Sequence, residues 1–265
     1  MWGRALLAGL AGLILLYLIL PMLVVVPLSF SGQSYLSFPP QSWSLKWYGT
    51  MADNPLWLEA TINSLLIGIP TALISVAFGT LAALGIVRGN IPRAGLISAA
   101  MVAPMMMPHV ILAIGLYPVM LELGLLRTHV AAIIGHSVIG IPLVFITVSA
   151  AVTGYNGALE LAAMTMGANP WQTFWKVTFP MIRVGMLIGG ILAFATSFDE
   201  LMLSLFLTGA ATRTLPRLIW EQLADYLTPT IAAVATLVFV FTLVLLAIVS
   251  LLQIRRGRAM AGQHG

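Results

Sequence analysis

The sequence predicts an all-α polytopic membrane protein with six transmembrane helices, and two observations carry that prediction. First, 60% of the 265 residues are hydrophobic and 8% are charged, whereas soluble domains carry about 25% charged residues. Second, apolar runs recur at the length of about 20 residues that a helix needs to cross a hydrocarbon core of about 30 Å. A water-soluble globular protein is therefore excluded.

Five of the apolar runs are continuous, and a sixth is interrupted by two acids. The continuous runs are 5–30, 61–87, 94–121, 130–159 and 226–254, and the interrupted one is 184–207. The first is longer than the roughly 7 to 15 apolar residues of a signal peptide, which favours a retained helix. Pro104 and Pro108 remove helix hydrogen bonds, so we expect a kink in the third span.

The basic residues predict the orientation of these spans. One side of the predicted topology carries Arg4, Arg88, Arg93, Lys176, Arg183, Arg255, Arg256 and Arg258, and the other carries Lys46, Arg127, Arg213 and Arg217. Because Lys and Arg are enriched in cytoplasmic segments, both termini are expected in the cytoplasm. The net charge of +4 then follows from membrane topology and does not indicate nucleic-acid binding.

The inner loop 154–183 predicts two short helices. The run 160–166 favours helix and stops at Gly167, a residue that readily takes the left-handed conformation at a helix end. Asn169 can cap a second helix, with Gln172 in the capping-box position, and Phe179-Pro180 is expected to end it. Within the loop, the small residues Ala162 and Ala163 suit either a docking surface or an ordinary helical connector.

These residues resemble a known motif. The stretch Glu160, Leu161, Ala162, Ala163, followed by Gly167, Ala168, Phe174, Val177, Phe179 and Pro180, resembles the EAA loop of permease subunits in binding-protein-dependent ABC importers. The resemblance implies a coupling helix that sits in a groove of a cytoplasmic ATPase, with 160–163, Gly167, Ala168 and Pro180 as its coupling residues. One departure is that Leu161 stands where the motif has glutamate, and Glu160 comes one position earlier.

The wider resemblance extends from residue 43 to 254. It includes Trp47-Tyr48, Asn63-Ser64-Leu65, 104–108, Gly135-His136-Ser137, 197–209, Thr214-Leu215-Pro216 and Pro229-Thr230-Ile231, which are similar to the second permease of spermidine/putrescine-type importers. It implies the type I importer fold, a bacterial inner membrane and a polyamine solute. Similar permeases serve ferric iron, phosphonates, opines or amino-acid-like solutes. The implied partners are a second, different permease, two ATP-binding subunits and a soluble solute-binding protein.

The chain itself is not predicted to be an enzyme. A Walker A loop needs a lysine after its glycines, and neither Lys46 nor Lys176 stands in that pattern. ATP and Mg²⁺ are therefore expected on a partner chain, with no cofactor or metal bound here. Having no cysteine excludes disulfides, thiolate metal sites and cysteine nucleophiles.

Asp199 and Glu200, together with the preceding Phe198, are the candidate residues of the translocation path. An acid at the centre of a lipid-facing helix costs about 2.5 to 3.5 kcal/mol, so something must offset it. On a continuous helix, neighbours point about 100° apart, and at most one acid would face the path squarely. Either one acid attracts a cation there, or the acids pair with Arg213, Arg217 or a partner subunit.

Two other functions compete with an ATP-driven permease. A secondary transporter could use Asp199 or Glu200 as an ion site. A membrane enzyme could use His136 and Ser137, but neighbours on a helix do not face each other, which favours a polar helix contact. Neither function needs the inner loop. The predicted domains are a first helix with an outer interfacial segment (1–60), a transmembrane core containing the coupling loop (61–254) and a basic cytoplasmic tail (255–265).

Overall fold

The computed structural model describes residues 2–89, 91–225 and 228–261. Within this part of the chain the helices are α1 Trp2–Ser29, α2 Lys46–Asp53, α3 Pro55–Arg88, α4 Ala94–Met106, α5 His109–Glu122, α6 His129–Thr153, α7 Ala158–Thr165, α8 Pro170–Thr173, a π-helical segment Phe174–Thr178, α9 Phe179–Phe198, α10 Met202–Leu207, α11 Leu215–Asp225 and α12 Pro229–Ala261. The all-α prediction is confirmed. Residues 226–227 of the last predicted span and 262–265 of the predicted tail lie outside the described residues.

Five helical stretches are long and apolar enough to cross a membrane on their own. They are Leu6–Ser29, Pro55–Arg88, His129–Thr153, Pro170–Phe198 and Pro229–Ile254. The shorter helices α4 and α5 pass the same test only as a pair, separated by a bend of 97°. Counting that pair as one broken span gives the six spans that the sequence predicts.

The bend between α4 and α5 lies at Met107 and Pro108. Met107 is extended, with φ −82° and ψ 138°, because a following proline disfavours the helical conformation. Pro108 also has no N–H to continue the helix. The predicted kink is confirmed, and its size makes it a break that lets α5 start in a new direction at His109.

The chain groups into two compact units, and the first combines the described residues of Met1–Glu59 and Leu218–Leu243. Within this unit, the apolar window of α1 is not buried by the chain, as expected of a helix facing lipid. The indole N–H of Trp47 donates to the Ser31 carbonyl at 2.7 Å, and the Ser29 and Tyr48 hydroxyls are 2.7 Å apart. The short helix α2 is thereby tied to the end of α1.

The second unit combines the described residues of Ala60–Arg217 and Val244–Gly265 and contains every predicted site residue. Its core is the contact between α6 and α9, where small residues let the two backbones approach closely, as is usual between membrane helices. A Cβ added at Gly185 would lie 2.7 Å from Ala151 Cβ, and one at Gly189 would lie 2.9 Å from Val144 Cα. The division of the sequence at residue 60 remains a prediction.

Gly189→Leu is expected to destabilise the second unit. A leucine there must displace the α6 backbone at Val144, and overpacking of this kind costs about 1 to 3 kcal/mol. The measurement is the midpoint of thermal unfolding in detergent. Gly115→Leu on α5 is the matched control, because nothing lies within 4 Å of a Cβ built there. Equal midpoints for the two variants would contradict the close-packing argument.

The prediction that Phe179-Pro180 ends the second helix of the inner loop is wrong. Residues Pro170–Phe198 form one helical stretch, in which the π-helical segment Phe174–Thr178 leads directly into α9. Pro180 stands in the first turn of α9. A proline in mid-helix removes a hydrogen bond and crowds the preceding turn, and the wider π turn before it accommodates the ring without ending the helix.

Candidate functional site

The inner loop contains α7, whose C-terminal turn is built by Gly167. Gly167 has φ +90°, its N–H donates to the Met164 carbonyl at 2.9 Å, and the Ala168 N–H donates to the Ala163 carbonyl at 3.0 Å. These two bonds form a Schellman motif, which closes a helix through a left-handed residue. The predicted helix and its end at Gly167 are therefore both present.

A capping box starts the next helix immediately after this turn. The Asn169 side chain accepts from the Gln172 N–H at 2.8 Å, and the Gln172 side chain accepts from the Asn169 N–H at 3.1 Å. Both bonds satisfy backbone donors that a helix start leaves without partners. The predicted cap is confirmed, and α7 and α8 are joined by a short turn with hydrogen bonds on both sides.

The outward face of α7 is apolar. Leu161 is 64% exposed and Met164 43%, and Met166, which follows the last residue of α7, is 83% exposed; we call these three residues the α7 surface. Ala162 is exposed beside them, whereas Ala163 is buried against the chain. Small and apolar exposed residues on a helix closed at its end form a suitable contact surface for another protein.

Glu160 faces the opposite way, into the second unit. Its Oε2 lies 3.5 Å from Arg88 Nε, and its Oε1 accepts hydrogen bonds from the hydroxyls of Thr178, at 2.7 Å, and Tyr155. Sequence reasoning did not place Arg88, Tyr155 or Thr178 beside Glu160, because these contacts depend on how the inner loop folds back onto the end of α3 and the π-helical segment. Among the predicted coupling residues, Glu160 is thus the one with an internal ion pair.

The two acids lie in a break between helices, so the expectation of a continuous helix through 184–207 is wrong. Helix α9 ends at Phe198 and α10 starts at Met202. Asp199 is exposed in this break, while Glu200 is 6% exposed. The break occurs where Glu200 Oε1 accepts from the Leu203 N–H at 3.0 Å and so caps α10 in place of a helical carbonyl.

The partner of Glu200 is His109, the residue that follows Pro108, and nothing in the sequence pattern links it to the acids. Glu200 Oε2 lies 2.6 Å from His109 Nδ1, which joins the break after Phe198 to the break before α5. Arg217, one of the predicted partners of the acids, donates to the Thr208 carbonyl at 2.6 Å and to the Thr208 hydroxyl at 3.0 Å. Phe198 is buried and stacks on Phe194 with ring centroids 5.7 Å apart.

His136 is buried beneath the same break. Its Nδ1 lies 2.7 Å from Ser197 Oγ and its Nε2 3.4 Å from Ser204 Oγ, and Ser204 in turn donates to the Glu200 carbonyl at 2.8 Å. Ser137 Oγ is buried without a hydrogen-bond partner in the described structure. His136 therefore holds α6 against α9 and α10. This is the polar helix contact that the sequence favours over an enzyme site at His136 and Ser137.

The segment after α10 is fixed by residues of the Asn63-Ser64 motif. The Asn63 amide donates to the carbonyls of Ala211 and Arg213 at 3.1 and 3.0 Å, and its oxygen lies 2.8 Å from His129 Nε2. The Leu215 N–H donates to Ser64 Oγ at 2.8 Å. The loop that follows Asp199 and α10 is therefore held in place by hydrogen bonds to Asn63 and Ser64.

The sequence is similar to those of known proteins. The family described as the inner membrane component of binding-protein-dependent transport systems matches residues 75–258. The "Spermidine/putrescine transport system permease protein PotC" of Escherichia coli strain K12 is 26% identical, over 92% of this chain and 92% of its own. The "Putrescine transport system permease protein PotI" of the same strain is 30% identical, over 84% of this chain and 81% of its own.

A solved structure supports the fold independently. A bacterial ABC transporter involved in the import of the acidic polysaccharide alginate superposes with a TM-score of 0.73 at 17% identity, covering 93% of this chain and 95% of its own. The family match includes α7, the Gly167 turn and the break at Asp199 and Glu200. The chain therefore belongs to the family of inner membrane components of binding-protein-dependent transport systems, and it is a multi-pass permease subunit of an ABC importer.

Proposed function

We propose that this chain is one of two different permease subunits in its importer and that two separate ATP-binding subunits, using ATP and Mg²⁺, drive it. The observation that carries the proposal is α7, a helix closed at Gly167 that presents the exposed apolar α7 surface. A groove in an ATP-binding subunit is the partner that this surface suits. Closure of the ATP-binding subunits displaces α7 and rocks the spans between outward-open and inward-open states.

Co-purification tests this assembly. The chain is purified in mild detergent from its native membrane, and the accompanying chains are identified by mass spectrometry. We expect a subunit with a Walker A sequence and a second permease, and we expect uptake by the reconstituted complex to need both ATP and a soluble solute-binding protein. A folded homo-oligomer that transports without ATP would contradict the proposal.

The solute is proposed to be a polyamine such as spermidine or putrescine, delivered by the solute-binding protein. Two observations support it: the relatives whose names carry those solutes, and the exposed carboxylate of Asp199 in a helix break. Broken helices are typical of solute sites in transporters, and a carboxylate favours a cation over a phosphonate. Competition of labelled putrescine uptake by spermidine, ferric citrate, a phosphonate, an opine and amino acids tests the choice.

Within such an importer, an ion gradient is the second candidate for the energy source, because the buried Glu200 side chain forms an ionisable pair with the partly exposed His109, and ionisable groups within membranes serve proton relays. Collapse of the proton and sodium gradients in proteoliposomes separates the two mechanisms. Uptake that continues on enclosed ATP supports the ATP-driven permease, and uptake that stops with the gradients supports the rival.

Both termini and α7 are proposed to lie in the cytoplasm of a bacterium. Because the sequence has no cysteine, single introduced cysteines report topology without background. Thr153→Cys, exposed at the end of α6 just before α7, is expected to react with a membrane-impermeant thiol reagent only after the cells are lysed, whereas Leu45→Cys, 66% exposed in the 31–60 segment, is expected to react in intact spheroplasts. The reversed labelling pattern would contradict the orientation drawn from the basic residues.

A further inference from the structure

Glu160 is the meeting point of four parts of the second unit. Its carboxylate belongs to α7, and its three partners come from the end of α3 (Arg88), the connection after α6 (Tyr155) and the π-helical segment (Thr178). The side chains of Arg88 and Glu160 are 31% and 17% exposed, and Thr178 is buried. We call these four residues the Glu160 cluster.

Arg88 extends the cluster to the end of α6. Its NH2 group donates to the Val152 carbonyl at 3.2 Å, where the negative end of the α6 dipole favours a cation. Its guanidinium also lies over the Tyr155 ring, 4.7 Å from the centroid, a cation–π contact. One arginine therefore bonds the last turn of α6 and the first turn of α7 to α3.

Tyr155 remains a donor in this cluster over a wide pH range. Burial raises the pKa of its phenol above the ordinary value, and the hydrogen bond that it donates to Glu160 adds to the rise. A raised pKa means that the phenol keeps its proton well beyond neutral pH. The bond to Glu160 is therefore not lost when cytoplasmic pH varies by a unit.

Leu161 points away from this cluster. Adjacent helix residues are turned about 100° from each other, and with Glu160 turned inward Leu161 is 64% exposed on the α7 surface. Glu160, the acid of this motif, is thus bonded within the chain, and the exposed position next to it, Leu161, is apolar.

We propose that the Glu160 cluster is the joint that ties α7 to α3, α6 and the π-helical segment, so that Glu160 transmits movement of α7 to the spans without touching the ATP-binding subunit. This inference rests on the proposed function. Glu160 is a positioning residue in this account, and Leu161 with its neighbours on the α7 surface makes the contact with the ATP-binding subunit.

A double-mutant cycle tests the joint in the reconstituted importer. Glu160→Gln keeps an oxygen that can accept hydrogen bonds from Tyr155 and Thr178 but removes the negative charge of the ion pair with Arg88. Arg88→Gln removes the positive charge of the same pair. We expect each single variant to lower the amount of solute transported per ATP hydrolysed by about tenfold, on the scale of a charge-assisted hydrogen bond. The double variant should be no worse than either single one.

Arg93→Gln is the matched control, since Arg93 is an exposed cation before α4 for which no ion pair is found among the described residues. It should leave the ratio of solute transported to ATP hydrolysed unchanged. Losses that multiply in the double variant, or an unchanged ratio in Glu160→Gln, would overturn the joint. Wild-type uptake that does not need ATP would instead overturn the proposed function, so the two failures are distinguishable.

Photo-crosslinking tests the same inference by a measurement that does not depend on transport activity. A photo-reactive amino acid at position 161 is expected to crosslink the ATP-binding subunit in the intact complex, whereas one at position 160 is expected to crosslink only within this chain. Equal crosslinking of the ATP-binding subunit from both positions would overturn the assignment of Glu160 to the inside.

Discussion

Asp199→Asn is expected to lower uptake of a cationic solute by about fivefold or more, because an exposed ion pair contributes up to ~1 kcal/mol in water and more where water is excluded. The side chain is exposed at the end of α9, so replacing its charge leaves the fold and the assembly intact. The measurement is the initial rate of ATP-driven putrescine uptake, with the amount of co-purified ATP-binding subunit as the assembly readout.

Two further variants separate a role in the path from a role in folding. Glu122→Gln removes an exposed carboxylate at the end of α5 and should leave uptake unchanged. Glu200→Gln weakens the pair between the buried Glu200 side chain and His109 and should lower the midpoint of thermal unfolding, an effect that Asp199→Asn should not have. Normal uptake by Asp199→Asn would remove Asp199 from the path, and a loss of assembly would show that its role is structural.

The parts of the site that the sequence predicts correctly are those that local chemistry determines. The left-handed turn at Gly167 and the capping box of Asn169 and Gln172 depend on residues within a few positions of each other, so the pattern along the chain is sufficient. The break at Pro108 is predictable for the same reason, because the restrictions that a proline imposes act on its immediate neighbours.

The contacts that sequence reasoning missed join residues that are distant along the chain. Arg88 meets Glu160, and His109 meets Glu200, and both contacts depend on how membrane helices pack. The second contact also explains why the helix through 184–207 is broken. The buried Glu200 carboxylate pairs with His109 and caps α10, and these contacts replace the helical hydrogen bonds lost between Phe198 and Met202. The acid therefore stabilises the break in the helix.

At Pro180 the prediction drawn from proline was wrong. Proline was expected to end a helix there, as it does at Pro108. The difference lies in what precedes each proline: Met107 is extended, whereas the residues before Pro180 form a π turn that continues into α9. A sequence pattern does not distinguish these two outcomes, because the π turn is held by the aromatic packing of Phe174, Trp175 and Phe179 as well as by its own hydrogen bonds.

Gly167→Val is expected to uncouple ATP hydrolysis from uptake. At φ +90° a β-branched residue is strained by about 1 to 3 kcal/mol, so the Schellman turn opens and α7 loses its fixed direction. Nothing lies within 4 Å of a Cβ built on Gly167, which means that the effect comes from backbone conformation and not from a clash. We expect the solute transported per ATP hydrolysed to fall by about tenfold, measured in proteoliposomes.

Gly167→Asn makes this argument testable, because asparagine tolerates the left-handed conformation that valine resists. Both side chains are larger than hydrogen and both project into the same open space. If the left-handed turn is what coupling requires, the asparagine variant keeps most of the wild-type ratio while the valine variant loses it. Equal losses would mean that the position must be small because a partner subunit packs against it, and equal retention would mean that coupling does not depend on the turn at all.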